Sequence, residues 1–417
     1  MSGITDPAPG SIRRWLILGI GSLNFVISMF YRVSTAIISP ALIDLGLTSS
    51  QLSDLAAAFY YAFAAMQIPV GMALDRLGAR LTIFILSFAA IGGAVLFAVG
   101  QTPNQLILAR VILGIGMSGN FMVVLTLLAA WFPVNRFASL SGVVVAVGAL
   151  GNMMAATPLA ALNLLIGWRS SFLFFAGLNA VVIVAFLLIV RDHPSGRTPI
   201  VLKSRSLLSG LARVIGMYSF WAISLSSFVR YGYFAALQSL WFAPFLIYGL
   251  GFDEIATGNA IFTLGLGYMV GLPLSGYVSD RVLKSRKGVV LCNMIAFTAI
   301  TALFFWWNRS IPMWGVLASF FLLGLTSAPG QILYAHMKEL LPATMVAQAM
   351  TSVNLFTILG VGVMTHLLGA VIGSDPSTLT DPGQFGMLWV VGVACLGTVS
   401  VLYCFVPEST ALKGGRK

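Results

Sequence analysis

Twelve times along this chain a run of roughly 20 mostly apolar residues recurs, each long enough to cross a bilayer's hydrocarbon as a helix. The runs fall at about 14–39, 51–74, 81–100, 104–131, 138–165 and 169–190, then at about 214–248, 256–279, 288–307, 312–335, 344–373 and 385–406. No water-soluble core absorbs that many, and with 59% of residues hydrophobic and 8% charged the pattern predicts an all-α, multi-pass membrane protein. Between the sixth and seventh runs lies the longest polar stretch, Arg191 to Arg213, with Pro194, Gly196 and Pro199; it reads as a linker carrying a surface helix. The plan is an N-terminal segment (1–13), a six-helix bundle (14–190), a linker (191–213), a second six-helix bundle (214–406) and a tail (407–417). Arg13-Arg14 leads into a run too long for a cleaved signal sequence and lacking a small-residue cleavage site, so none is expected.

The net charge of +11 would suit a nucleic-acid binder, but the basic residues sit in short loops between the runs. They read instead as topology signals and contacts to anionic lipid, with no nucleic-acid partner. With the N-terminus placed in the cytoplasm, all but five of the 23 lysines and arginines fall on the cytoplasmic side. The five are Arg32, Arg110, Arg169, Arg230 and Arg309. Both termini are therefore expected inside, and the outer loops carry Asp44, Asp253, Glu254 and the turn formers of 375–383. Cys292, Cys395 and Cys404 all lie in apolar runs, which suggests neither a disulfide framework nor a metal cluster. No cofactor is expected.

The chain also repeats itself. Gly71-Met72-Ala73-Leu74-Asp75-Arg76-Leu77-Gly78-Ala79-Arg80 follows the second run, and Gly276-Tyr277-Val278-Ser279-Asp280-Arg281 follows the eighth. Gly, Asp and Arg recur at one offset, 205 residues (276 − 71, 280 − 75, 281 − 76). Pro133, Ala138 and Gly151 return as Pro342, Ala347 and Gly360 at an offset of 209. Two like halves of six spans point to a transporter with its site near the bilayer midplane.

The doubled Gly-x-x-x-Asp-Arg loop resembles the signature loop of the major facilitator superfamily, and Arg110-x-x-x-Gly114-x-Gly116 is similar to that superfamily's fourth-helix motif. The resemblance covers residues 12–406 and implies twelve helices in two pseudo-symmetric bundles working by alternating access. It implies gating roles for Gly71, Asp75, Arg76, Arg80, Gly276, Asp280, Arg281 and Arg110, with Asp75 at the centre of a charge relay. Physically, Gly71 would let a neighbouring helix approach, and Gly78 would permit a tight turn.

Arg32 and Arg230 each lie well inside an apolar run, at an insertion cost of at least about 2.5–3.5 kcal/mol. Arg32 ends Ser28-Met29-Phe30-Tyr31-Arg32 in the first run, and Arg230 ends Ser226-Ser227-Phe228-Val229-Arg230 in the seventh, its repeat counterpart. Both read Ser-x-Phe-x-Arg or its near equivalent, and the pair is expected to project from the two halves into one cavity. Arginine stays charged and grips carboxylate or phosphate as a planar fork. Further expected binding residues are Tyr31, Ser28, Tyr60, Tyr61, Asn120, Tyr233, Gln238, Trp241, Tyr334 and Asn354. The paired arginines resemble the organophosphate antiporter branch, and a late first-span arginine resembles the branch that couples sugar-acid anions to cations. Where that second branch places an acid before the arginine and another in the fourth span, this chain has Tyr31 and Met117-Ser118-Gly119.

No acid stands near the centre of any run; Asp54 comes closest, just after Thr48-Ser49-Ser50-Gln51, a capping-like segment. That census disfavours a carrier of lipophilic cations, so the missing counter-charge is best supplied by an anionic substrate. Coupling remains open between anion exchange and proton symport, with His366 in the eleventh run as the proton candidate. The expectation is a monomeric secondary transporter of a small carboxylate or phosphate ester in a bacterial inner membrane. The alternatives are a broad metabolite exporter, an amino-acid or short-peptide carrier, and, remotely, a non-transporting receptor. No nucleophile–base or metal-ligand constellation points to an enzyme.

Overall fold

In hydrocarbon a backbone must satisfy its own hydrogen bonds, which leaves helix as the structure for each apolar run. The computed structural model describes residues 12–193, 215–307, 310–341, 343–372 and 382–409, and among them there is no strand. The linker helix expected within 191–213, the outer loop at 375–381 and most of both terminal segments lie outside the described residues.

The first half contains α1 (Ile12–Val33), α2 (Thr35–Asp44), α3 (Ser49–Ala65), α4 (Gln67–Val99), α5 (Pro103–Met117), α6 (Asn120–Trp131), α7 (Val134–Met154) and α8 (Thr157–Ile189). The second contains α9 (Tyr218–Ala236), running through wide π turns to Gly249, then α10 (Glu254–Tyr277), α11 (Arg286–Leu303), α12 (Met313–Ser327), α13 (Gly330–Leu340), α14 (Ala343–Ile372) and α15 (Pro382–Cys404). Every one of the twelve runs finds its helix, but the breaks fall in unexpected places. The first run is broken at Ser34, the second at Met66, the fourth at Ser118-Gly119 and the tenth at Ala328-Pro329. Pro329 has no N–H to continue α12. Conversely, α4 and α8 each carry two runs through a sharp bend at one glycine, Gly78 (φ 79°) or Gly167 (φ 77°). Nine stretches among the described residues are long and apolar enough to span a membrane. The count is lower than twelve because Leu140–Ile189 holds two runs, α3 has 17 residues, and π turns interrupt the seventh run.

Contacts group the chain into two compact units, Met1–Arg32, Tyr61–Ala155 and Leu162–Lys203 in the first, Val33–Tyr60, Ala156–Ala161 and Ser204–Lys417 in the second. The first is packed around Phe25, Ile83, Val124, Leu127, Trp131 and Phe186. In the second, Phe245, Phe304, Trp307, Phe320 and Trp389 form an aromatic cluster with centroids such as Phe304–Trp307 at 4.3 Å and Phe304–Trp389 at 4.8 Å. In the second unit the helix ends that carry Arg281 and Arg286 form a basic end, and those with Asp44, Asp253 and Glu254 form an acidic end.

Candidate functional site

Arg230 lies on α9, 5% exposed, and no carboxylate among the described residues pairs with it. Its Nη1 donates to the Ser327 carbonyl, one of the acceptors released where α12 stops. Its Nη2 rests against Gly330, where an added Cβ would come within 1.6 Å. Glycine is therefore the residue that lets the guanidinium reach the broken run. Tyr231, Tyr268 and Tyr334 stand within electrostatic range of the charge. The Tyr334 hydroxyl in turn meets Thr357 Oγ1 at 3.0 Å and donates to Asn354 Oδ1 at 3.4 Å. The result is a fixed cation among hydroxyl groups, the chemistry that recognises an oxygen-rich anion.

Arg32 occupies the last turn of α1, 7% exposed, its Cζ 4.8 Å from the centroid of the Phe63 ring. The backbone around it is held from α5. Arg110, fully buried, donates from Nη1 to the Tyr31 carbonyl at 2.8 Å, and Ser28 Oγ donates to the Met117 carbonyl at 3.1 Å. Met117 and Ser118 are where the fourth run breaks; Asn120 Nδ2 also donates to Met117 O (3.3 Å), and Gln67 Nε2 to Ser118 O (3.4 Å). Both arginine helices thus hydrogen-bond the carbonyls of a broken helix, the fourth run in one half and the tenth in the other.

Not every expected residue joins these clusters. Tyr233 turns away, donating to the Leu388 carbonyl on α15 at 3.1 Å with its ring against Gly392. Trp241, fully buried, packs on Gly369, and Gln238 is buried one turn before it. Tyr60 is buried beside Phe59, whereas Tyr61 is 38% exposed. Tyr31 is buried between Phe30 and Phe172. His366 Nδ1 lies 3.2 Å from Asp54 Oδ1. The cap of α3 is made by Thr48 and Gln51 without Asp54: Thr48 N donates to Gln51 Oε1 at 3.0 Å and Gln51 N to Thr48 Oγ1 at 3.3 Å.

The two Gly-x-x-x-Asp-Arg loops differ. Asp75 and Arg76 are exposed and make no side-chain bond among the described residues; Arg80 donates through its backbone N to Asp192 Oδ1 (2.7 Å) and through Nη2 to Leu187 O (2.6 Å). In the second half Asp280 pairs with Arg286, which also holds Glu339 at 3.0 Å and Ser279 Oγ at 3.0 Å. Arg281 takes no part in that cluster. Glu408 accepts from the backbone N of Arg286 (3.1 Å) and Lys287 (3.3 Å) and from the Ser285 hydroxyl. Burial pushes the Glu408 carboxyl up, but the Ser285, Lys287, Ser409 and Arg286 donors outweigh it and hold it below the usual carboxylate range. Neither Gly71 nor Gly276 serves helix approach, since a Cβ at either would meet nothing within 4 Å. Close approach falls to Gly78, where a Cβ would lie 2.6 Å from the Asp192 carboxylate and where φ is positive.

A family model described as Major Facilitator Superfamily matches residues 20–242, more than half of the chain. The chain belongs to that superfamily. Among curated relatives it is 25% identical to a probable sulfoacetate transporter of Cupriavidus necator over 67% of this chain and 68% of that one. It is 25% identical to the hexuronate transporter of Bacillus subtilis over 67% of each. A probable L-galactonate transporter of Escherichia coli is 24% identical over 62% of this chain and 61% of the relative. In fold it is similar to a bacterial homolog of the human lysosomal transporter Spinster, inward-facing and unoccupied in the matched structure, with a TM-score of 0.77 and 18% identity over 95% of this chain and 98% of that one.

As a superfamily member the chain is a multi-pass membrane transporter for a small-molecule substrate, not an enzyme. Sequence reasoning found both buried arginines through the repeat. It missed Phe63, Gln67, Tyr268, Gly330 and the hub Arg286. Gly330 alone carried a readable signal, following Ala328-Pro329 at the position where the tenth run has to break.

Proposed function

We propose that this transporter carries a small organic acid anion across the bacterial inner membrane by alternating access, with both termini in the cytoplasm and the monomer as the working unit. Arg230 binds the acidic group, Tyr268, Tyr334 and Asn354 bind its hydroxyl or sulfonate oxygens, and Arg32 is a substrate-binding residue of the first unit. The observation that carries this reading is Arg230 itself, an arginine buried without a carboxylate, held by the Ser327 carbonyl and surrounded by tyrosines. A charge that costs several kcal/mol to bury is retained where a ligand supplies the opposite charge. Relatives named for sulfoacetate, hexuronate and L-galactonate transport support the same substrate class.

Proteoliposome uptake tests this. Vesicles are offered labelled sulfoacetate, glucuronate and galactonate, with lysine and a quaternary ammonium as cationic comparators. Uptake of at least one acid, abolished in Arg230→Ala and in Arg32→Ala, is the expected result. Transport of the cations with both variants fully active would overturn the anion assignment. A thermal-shift screen selects the probe, since a ligand at 100 times its Kd stabilises the folded protein by about 2.7 kcal/mol.

A further inference from the structure

One contact inside the second unit bears on how its acidic end closes and opens. Asp54 of α3 and His366 of α14 meet at 3.2 Å, about one and a half turns from the acidic end of either helix. One turn further along α14, Gly369 lies so close to α3 that an added Cβ would come within 1.7 Å of Ser53 Oγ and 3.4 Å of Trp241. The pair therefore sits beside a close approach of these two helices, and a separation of α3 from α14 there has to break it. Thr157 Oγ1 donating to Asn259 Oδ1 at 2.9 Å is a second contact in that unit near the acidic end.

From this geometry we infer that Asp54 and His366 form a proton-binding site that latches α3 to α14. With a proton on His366 the imidazolium and the Asp54 carboxylate attract, and the crossing is held. With the proton released to water the imidazole is neutral, the attraction falls to a neutral hydrogen bond, and the crossing loosens. One proton is bound on closing and one is released on opening, with no other group changing charge. Histidine is the side chain suited to this because its charge changes between about pH 5 and 8. Both partners are partly exposed, so the proton exchanges with water.

The surrounding charges do not compete. Asp54 is the one charged residue of α3, whose other titratable groups are Tyr60 and Tyr61; His366 is the one titratable residue of α14. Of the elements packed on α14, α9 brings Arg230, Tyr218, Tyr231 and Tyr233. Gly232 and Phe228 meet α14 at Gly360, so Arg230 lies about six residues, or ~9 Å, below His366. The helix α13 brings Tyr334, His336, Lys338 and Glu339, toward the basic end. The helix α15 brings Cys395, Tyr403 and Cys404. The stretch from Leu237 to Gly249 brings Tyr248.

The inference rests on the transporter reading but not on the identity of the substrate, and the test keeps the two apart. Spin labels are placed at Ser50→Cys on α3 and Ala370→Cys on α14, both exposed, after Cys292, Cys395 and Cys404 are changed to serine. Distances are measured in nanodiscs from pH 5 to 8 without substrate. The short-distance population is expected to dominate at low pH and to fall at least fivefold as the pH rises. In His366→Gln and in Asp54→Asn the distribution is expected not to change with pH. A distance independent of pH in the parent protein, or the same pH dependence in both variants, would overturn the latch. Failure of every organic acid to bind would leave this measurement untouched and would count against the substrate assignment alone. As the transport arm, glucuronate uptake into vesicles is measured from external pH 5 to 8 and is expected to vary with pH in the parent protein and not in His366→Gln. The same pH dependence of uptake in His366→Gln would remove the pair from transport.

Discussion

Arg32 and Arg230 occupy matched places in the two repeats, yet they are held in different ways. Arg230 is itself a donor to the broken tenth run, bonded to Ser327 O with Gly330 shaped to admit it. Around Arg32 that work is shared: Ser28 and Asn120 serve the broken fourth run, Arg110 holds the Tyr31 backbone, and the guanidinium lies over the face of Phe63. Arg230 gives a directional hydrogen bond to a broken helix, and Arg32 lies over an aromatic face. The difference teaches that a sequence repeat preserves where a charge is placed without preserving what orients it. A planar fork is needed where bonds are shared between protein and ligand, and an aromatic face adds a cation–π attraction.

The comparison can be broken most decisively at Arg230. Arg230→Lys is expected to lose at least about 100-fold in affinity for an organic acid, because an ammonium cannot bond Ser327 and present a fork to the anion together; charged hydrogen bonds contribute about 1.5–3 kcal/mol each. Arg32→Lys keeps its charge over Phe63 and is expected to lose only about 10-fold, as is Phe63→Leu, from cation–π terms of about 0.5–2 kcal/mol. Calorimetric titration of the purified variants checks both, and equal losses for the two lysine variants would erase the distinction drawn between the sites. Next in size, Gly330→Ala is expected to weaken binding about 10-fold by displacing the guanidinium. Gly119→Ala at the fourth-run break meets the movable Leu86 side chain at 2.4 Å and is expected to cost less than about threefold. Tyr334→Phe removes the hydroxyl that meets Thr357 and Asn354. A loss of about 3- to 10-fold is expected for hydroxylated acids and little change for sulfoacetate.

The smallest effect concerns the two Gly-x-x-x-Asp-Arg loops, the second tied by Glu408 and the first by Asp192. Glu408 is held below the usual carboxylate range, so its stabilisation is present above that range and lost as the pH falls through the lowered value. Glu408→Gln is expected to lower Tm by about 2 °C at pH 7. The difference from the parent protein should vanish in acid; a difference that grows there would reverse the sign.

Much of this architecture was readable because hydrocarbon imposes one solution on each apolar run, and because the repeat doubles every signal. Gly78 could be assigned to a turn from its place in the loop, and φ of 79° bears that out. The helix breaks at Ser34 and Met66 were not readable, since neither residue is a breaker; near the first, Tyr31 O is taken by the distant Arg110, and near the second, Phe63 O by Gln67. Tyr268 sits on α10 far from Arg230 in sequence, and nothing in its own run marks it. Asp54 read as a helix cap because its partner, His366, is 312 positions away (366 − 54) and only packing brings the two together. Arg286 looked like one more positive loop residue until Asp280, Glu339 and Ser279 converged on it.

The central claim is that a buried, carboxylate-free arginine takes its counter-charge from the substrate. Titrating glucuronate, sulfoacetate and galactonate, each beside its uncharged analogue, into parent protein and Arg230→Ala tests it most directly. The account predicts that at least one acid binds, that its neutral analogue binds at least about 100-fold more weakly, and that Arg230→Ala removes this preference. Binding of the neutral analogue as tightly as the acid, or an undiminished preference in Arg230→Ala, would contradict it.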